Sequence, residues 1–344
     1  MIAHIAAADG SPCPTLVLDA SQLPSEQDAL CAALSAAREA LIAAGDAHVL
    51  KIALISRARH PLFDLDYRFV QCLPAHPERF DLRGSCGHSI LSSIIVAGQL
   101  GWLPPLAPDA RVRVHVVNNG DHVVCEVDEA GRRTGNFTVH FLHTPAARLG
   151  DLLLTAQPVS DLQCRGMKYP VSLVSVGNPY VFVNAASLGI ATIDEFFGED
   201  PALFERLAAL RAAAAARLGF PPDGAFPKIA AVAQFQPGRL AVRAISVPSW
   251  HPTLAVTGAV CLGVASAIAG TIPYELAQAA GCTPGEIAID TPGGSTAVST
   301  EVSGTTTADR LLWASVTRKR AHLIRAVVLD ALATDARSRR VIHA

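Results

Sequence analysis

The sequence predicts an α+β fold made of two similar halves, each a set of strands that buries one strongly apolar helix. Three observations predict it. Short runs with strand-like patterning recur along the chain, set apart by Gly, Pro and Asn turns. Two long apolar stretches, Ile90 to Leu103 and Ala259 to Ala269, each follow a loop of small residues. An apolar helix among strands must be covered on all sides, so each stretch belongs at the centre of its half. The repeated order points to a duplicated unit with two cores and a boundary near Gln157 to Cys164. This sets domains at 1–160 and 161–344, with the last segment free to return to the first domain.

In chain order, Thr15-Leu16-Val17-Leu18 reads as a short strand. Ser25 to Ala44 reads as an amphipathic helix, with Ser25 as its N-cap and Gly45 past its end. Lys51 to Ile55 is an apolar strand, and Asp66 to Cys72 alternates with period two. Gly84-Ser85-Cys86-Gly87-His88-Ser89 reads as a loop entering the first buried helix. Arg111 to Val117 and His122 to Val127 form a hairpin around Asn119-Gly120, and Arg132 to Leu142 continues the pattern. In the second half, Val171 to Val176 and Tyr180 to Asn184 are strands around Gly177-Asn178-Pro179. Pro201 to Leu218 is a helix, capped by Asp200 and stopped by Gly219. Ile229 to Phe235 and Arg239 to Ile245 are strands. Thr257-Gly258 opens the second apolar helix, which Gly270 and Pro273 end. Glu286 to Asp290 and Thr296 to Val302 flank the turn Thr291-Pro292-Gly293-Gly294. The basic run Arg318-Lys319-Arg320 reads as a solvated helix end.

Composition narrows the class of function. Of 344 residues, 50% are hydrophobic and 17% charged, which is globular rather than disordered. A net charge of −2 provides no molecule-wide basic field for nucleic acid or an anionic membrane, so neither partner is expected. The Met1-Ile2-Ala3-His4 start has no basic region before an apolar core, and charged residues interrupt every Ala-rich stretch. The expectation is a cytoplasmic protein, for which a homodimer is an allowed assembly. Eight scattered cysteines with no CxxC spacing write no zinc or redox site, and no metal is expected.

Three constellations can carry chemistry. Ser85-Cys86-Gly87-His88-Ser89 stands at a helix start, where free N–H groups bind anions and lower a thiol pKa. Cys86 therefore reads as a partly exposed, activated thiol or a donor to an anion; a buried cysteine beside an ordinary cap is the plainer alternative. Gly87 would let a ligand approach the backbone. Lys51 heads an apolar strand, flanked by Val49, Leu50, Ile52 and Ala53. Desolvation there would make its amine a usable base, although a strand-end lysine also snorkels to water. Ser249-Trp250-His251-Pro252, leading to Thr257 and Gly258, provides a second helix start, with His251 a carboxylate ligand, a partner in proton transfer or a structural imidazole. The turns bearing Asn178 and Gly293-Gly294-Ser295 either line a cleft or simply reverse the chain.

Together these segments resemble the PrpF family of allylic isomerases, which has the diaminopimelate-epimerase-like fold. Lys51-Ile52-Ala53-Leu54-Ile55, then Asp64-Leu65-Asp66-Tyr67-Arg68-Phe69-Val70-Gln71, resemble the family's Lys strand and its D-x-D-Y-x-F-x-Q strand. Ser85-Cys86-Gly87-His88 resembles its N-C-G-N loop. Val176-Gly177-Asn178-Pro179, Val256-Thr257-Gly258-Ala259-Val260-Cys261, Ile268-Ala269-Gly270-Thr271 and Ile289-Asp290-Thr291-Pro292-Gly293-Gly294 resemble four further family segments, in order. The resemblance covers about Lys51 to about Arg320. It implies two domains, each a β-sheet wrapped around a central helix, with both helix N-termini pointing into one interdomain cleft. It implies a cofactor-independent isomerase acting on a small unsaturated di- or tricarboxylate. Lys51 falls on the family's catalytic lysine, with Cys86 opposite. Ser85, Gly87, His88, Ser89, Asn178, His251, Thr257, Gly258, Gly293, Gly294 and Ser295 would surround the substrate.

The sequence also departs from the family. Where members carry an R-G-G-T-S-K-G loop, this chain has Ala7-Ala8-Asp9-Gly10-Ser11-Pro12-Cys13, without a cation. Ser85, His88 and Thr291 replace two asparagines and a histidine. Two other readings are an amino-acid racemase or epimerase and a non-catalytic binding or accessory protein that keeps the cleft. Racemase chemistry needs a second thiol beside Thr257-Gly258, where Leu254, Ala255 and Val256 stand; Cys261 lies a turn inside the helix.

Overall fold

The structure is a computed structural model and describes residues 1–246 and 249–332. The first half runs β1 (Ile2–Ala8), β2 (Thr15–Asp19), α1 (Gln27–Ala43), β3 (Lys51–Arg57), β4 (Leu65–Leu73), β5 (His76–Asp81), α2 (Gly87–Gln99), β6 (Arg111–Val116), β7 (His122–Ala130) and β8 (Thr134–Arg148). The second runs β9 (Ser160–Cys164), β10 (Met167–Val176), β11 (Asn178–Asn184), α3 (Ile193–Phe197), α4 (Pro201–Leu218), β12 (Lys228–Ala233), β13 (Arg239–Ser246), β14 (Ser249–Trp250), α5 (Val256–Ala265), α6 (Ile272–Ala280), β15 (Glu286–Thr291), β16 (Gly294–Val302) and β17 (Arg310–Val328).

The pairing repeats strand for strand. β2 and β3 are parallel, β3 and β4 antiparallel, and β4 and β6 parallel, with β7 and β8 following as antiparallel neighbours. β11, β12, β13, β15, β16 and β17 pair in the same senses. Parallel neighbours need a long crossover. α1 crosses from β2 to β3 and α4 from β11 to β12, while α2 and α5 cross from β4 to β6 and from β13 to β15. β17 pairs with β16 and returns to β8 and β1 of the first half.

Burial follows the hydrophobic pattern. Residues 87–97 of α2 and all ten of α5 are buried, as helices without a polar face require. α1 and α4 are amphipathic and cover the outer faces of their own halves. The largest apolar cluster runs through both central helices. The expected two central cores are thus one, because α2 and α5 meet each other as well as their sheets.

Several local expectations change. Glu26, not Ser25, caps α1: its carboxylate accepts from the N–H groups of Asp28 and Ala29 at 3.0 and 2.8 Å, with a negative charge suited to a helix start. α5 ends at Ala265, short of Gly270, and Ser266 donates to the Leu262 carbonyl at 2.9 Å. Pro273 stops nothing; it sits in the first turn of α6, where its missing N–H has no helical partner to lose. Arg318-Lys319-Arg320 lies within β17. A bulge there, with Arg318 at φ +58°, re-aims the strand and leaves Lys319 buried. Among the described residues, no helix is long and apolar enough to cross a membrane.

Candidate active site

α2 and α5 begin side by side. A Cβ on Gly87 would stand 2.6 Å from Cβ of Val256, so the glycine lets the two helix starts touch. Its reason is packing of protein on protein, not ligand approach. Gly258 likewise receives the Tyr180 hydroxyl, 2.4 Å from where a Cβ would lie. Asn178 ties the two starts together. Its Oδ1 accepts from the Ser85 N–H at 2.9 Å, and its Nδ2 donates to the Ser85 carbonyl at 2.7 Å and to Thr257 Oγ1 at 3.1 Å. Three of the four hydrogen-bonding positions of this buried amide are used, two of them across the halves to Ser85.

A narrow cavity opens at this junction, lined by Lys51, Ser85, Cys86, Asn178, Lys228, His251 and Thr257. Its free volume is about 40 Å³. Small-molecule pockets usually have ~300–1,000 Å³, so admitting a substrate requires the surrounding side chains or halves to move. Among the described residues, no aspartate or glutamate lines it. Anion-seeking groups therefore dominate the site: two lysines and the N–H groups of two helix starts.

Lys51 is the first residue of β3 and is 5% exposed. Its Nζ donates to Ser11 Oγ at 2.7 Å, and Ser11 in turn donates to the Cys13 carbonyl at 2.8 Å. The 7–13 segment, which carries no cation, thus still reaches the amine. Cys86 is the N-cap residue of α2. It is buried rather than partly exposed, because Asn178 draws its loop under the second half and Phe226 fills the space beside Gly84. Burial by itself pushes the thiol up. The Lys51 charge, the nearby Ser89 hydroxyl and N–H, and the Lys228 charge outweigh it, and the net shift is downward.

Sequence reasoning passed over Lys228. It is the first residue of β12, and its Nζ stands 4.9 Å from the centre of the Phe226 ring. Desolvation, helped by the Lys51 charge, lowers its amine to about 8. A signal was present: Lys-Ile-Ala opens both Lys51–Ala53 and Lys228–Ala230.

The other candidates separate by position. Ser85 keeps a buried hydroxyl without a partner among the described residues, in the lining of the cleft. His251 accepts from the Thr253 N–H at 3.2 Å, and burial, then the Lys51 and Lys228 charges, lower it to about 3. His88 is buried behind it, with stacked rings 5.9 Å apart and, among the described residues, no partner on either nitrogen. Burial, then the Lys51 charge, hold His88 well below the usual range. Ser89 shares a hydrogen bond with Thr15 at 2.9 Å. Gly87, His88, Ser89 and Gly258 support the cavity from outside its lining. Gly293, Gly294 and Ser295 are exposed; Gly293 abuts Pro252 and Thr253, and Ser295 donates to Asp290 at 2.5 Å. That turn braces the His251 loop and does not line the cavity. Cys261 is fully buried, with Sγ 3.5 Å from the Val174 carbonyl it donates to.

Comparison with known proteins agrees with this architecture. The protein YbhH of Escherichia coli (strain K12) is 29% identical over 276 residues, covering 74% of this chain and 76% of the relative. The 3-methylitaconate isomerase of Eubacterium barkeri is 27% identical over 280 residues, covering 70% and 73%. The crystal structure of methylitaconate-delta-isomerase superposes with a TM-score of 0.67 at 22% identity, covering 96% of this chain and 97% of that one. The fold is therefore the α+β, diaminopimelate-epimerase-like one. The family model described as PrpF protein matches residues 38–329, and with that match over most of its length the chain belongs to the PrpF family.

Proposed function

We propose that this chain is a cofactor-independent isomerase that shifts a proton and a double bond within a small unsaturated di- or tricarboxylate in the cytoplasm. The observation that carries the reading is the convergence of buried Lys51, Cys86 and both central helix starts on one cavity in whose lining, among the described residues, no acidic side chain stands. The name of the 3-methylitaconate isomerase relative supports the substrate class. Eight unpaired thiols fit a reducing compartment.

Lys51 removes a proton from the carbon next to the unsaturated acid. The electron pair enters the π system, and charge develops on a carboxylate oxygen. N–H groups at the starts of α2 and α5 are aimed where that charge forms and stabilise the dienolate. Cys86 stands opposite Lys51, hydrogen-bonding the intermediate. The proton returns at the far carbon, and neither a metal nor an organic cofactor enters the scheme. A two-thiol racemase is disfavoured because Ala255 occupies the N-cap of α5, where Cys86 caps α2, and Cys261 is sealed in the core.

The test is to incubate unsaturated acids such as 3-methylitaconate in deuterated water and follow the allylic hydrogens by NMR. Exchange and double-bond migration are expected, with Lys51→Ala losing both by about 10²–10⁴-fold and Cys86→Ala retaining part. Tight binding without exchange would make the protein a binding module instead.

A further inference from the structure

We infer that Lys228 is the second proton-transfer group of the cleft, returning to the far carbon of the substrate the proton equivalent that Lys51 removes. The inference rests on the isomerase reading above and deepens it.

The duplication places the two amines. Lys51 opens β3 and pairs with Thr15 of the parallel strand β2; Lys228 opens β12 and pairs with Tyr180 of the parallel strand β11. Each is the first residue of the equivalent strand of its half. Two strand heads related in this way bring both side chains to the lining of the same cavity. The symmetry is broken at the helix caps, where Cys86 has Ala255 as its counterpart. Among the described residues the second half therefore brings no thiol to the lining, and Lys228 is its strongest proton donor. Burial pushes the Tyr180 phenol far up, and His251 is a neutral imidazole and poor acid at pH 7. Lys228, seated on Phe226 with its amine near 8, holds a proton at neutral pH and releases it readily.

The step balances without a redox partner. The Lys51 amine gains the proton from the first carbon, and that C–H pair becomes the new double bond. The old double bond supplies the pair that takes a proton from the Lys228 ammonium. Afterwards Lys51 is ammonium and Lys228 amine, and exchange with water resets both.

The experiment separates the two half-reactions. Wild type, Lys228→Met and Lys228→Arg are incubated in deuterated water with 3-methylitaconate, 2-methylaconitate and 4-oxalomesaconate, after melting curves show that each variant folds. Substrate exchange and double-bond migration are followed together by NMR. Lys228→Met is expected to lower migration by about 10²–10⁴-fold while the substrate still exchanges its allylic hydrogen. Lys228→Arg keeps a cation but holds its proton too tightly to donate, so it should show the same split with KM little changed. Restored migration in Lys228→Arg would overturn the proposal and make Lys228 a carboxylate anchor. Undiminished migration in both variants would overturn it as well. Silence of the wild type with all three acids would instead overturn the isomerase reading, and this inference with it.

Discussion

At the scale of the residue, the site pairs the buried Lys51 with the half-buried Lys228, and among the described residues no carboxylate lines it. Burial first, and then these amines, keep the neighbouring imidazoles neutral, which has a consequence for stability. His251 is lowered to about 3 by burial and then by the Lys51 and Lys228 charges. The unfolded chain takes up a proton near pH 6.5 that the folded chain refuses. Stability is therefore full above pH 6.5 and falls as the pH drops toward 3, by about 1.4 kcal/mol per unit from this group. Melting temperatures measured between pH 8 and 4 should decline less steeply in His251→Gln than in the wild type. An unchanged slope would mean that the ring protonates freely in the folded protein. The candidate residues were legible to different degrees. Lys51 and Cys86 stood out because each sits where the sequence changes character, a charge entering an apolar strand and a thiol entering an apolar helix. Lys228 has the same local context, but its meaning depends on which strand lies across the cleft, and spacing along the chain does not carry that.

At the scale of the element, small residues set the contacts between the two central helices. Gly87→Ala would force a methyl to within 2.6 Å of Val256. The expected loss is about 1–3 kcal/mol, read by denaturant unfolding, with activity falling further because both helix starts move. Gly45→Ala serves as the control: nothing lies within 4 Å, but φ is +83°, so only backbone strain is felt. Helices and strands were mostly readable because their apolar spacing is local. The misreadings have equally local causes. Ser25 and Glu26 are both adjacent to the start of α1, and only the chain's path decides which carboxylate or hydroxyl faces the free N–H groups. In β17, three consecutive basic residues look solvated until a left-handed Arg318 turns Lys319 inward.

At the scale of the molecule, Asn178 holds the halves at the cleft. Asn178→Ala would leave the Ser85 N–H and carbonyl and the Thr257 hydroxyl without the buried partner they share. Each orphaned group costs about 1–3 kcal/mol. The melting temperature should fall by several degrees, and Asn178→Asp should recover little because a carboxylate cannot donate to the Ser85 carbonyl. A variant as stable as the wild type would show that the clamp contributes nothing. With about 40 Å³ of free space in the cavity, the same contacts also limit how readily the cleft admits a substrate.

The sequence by itself determined the class of fold, the duplication and the two apolar helices, since these follow from period and composition over short windows. It also singled out Lys51 and Cys86 by their immediate neighbours. Only the tertiary structure decided that the two central helices share one core, that Gly87 and Asn178 join the halves, and that Lys228 lines the same cavity as Lys51 while Gly294 and Ser295 face water. Those outcomes depend on contacts between residues far apart in the chain, 93 positions for Asn178 and Ser85, where packing and electrostatics act through space and leave no periodic mark along the chain.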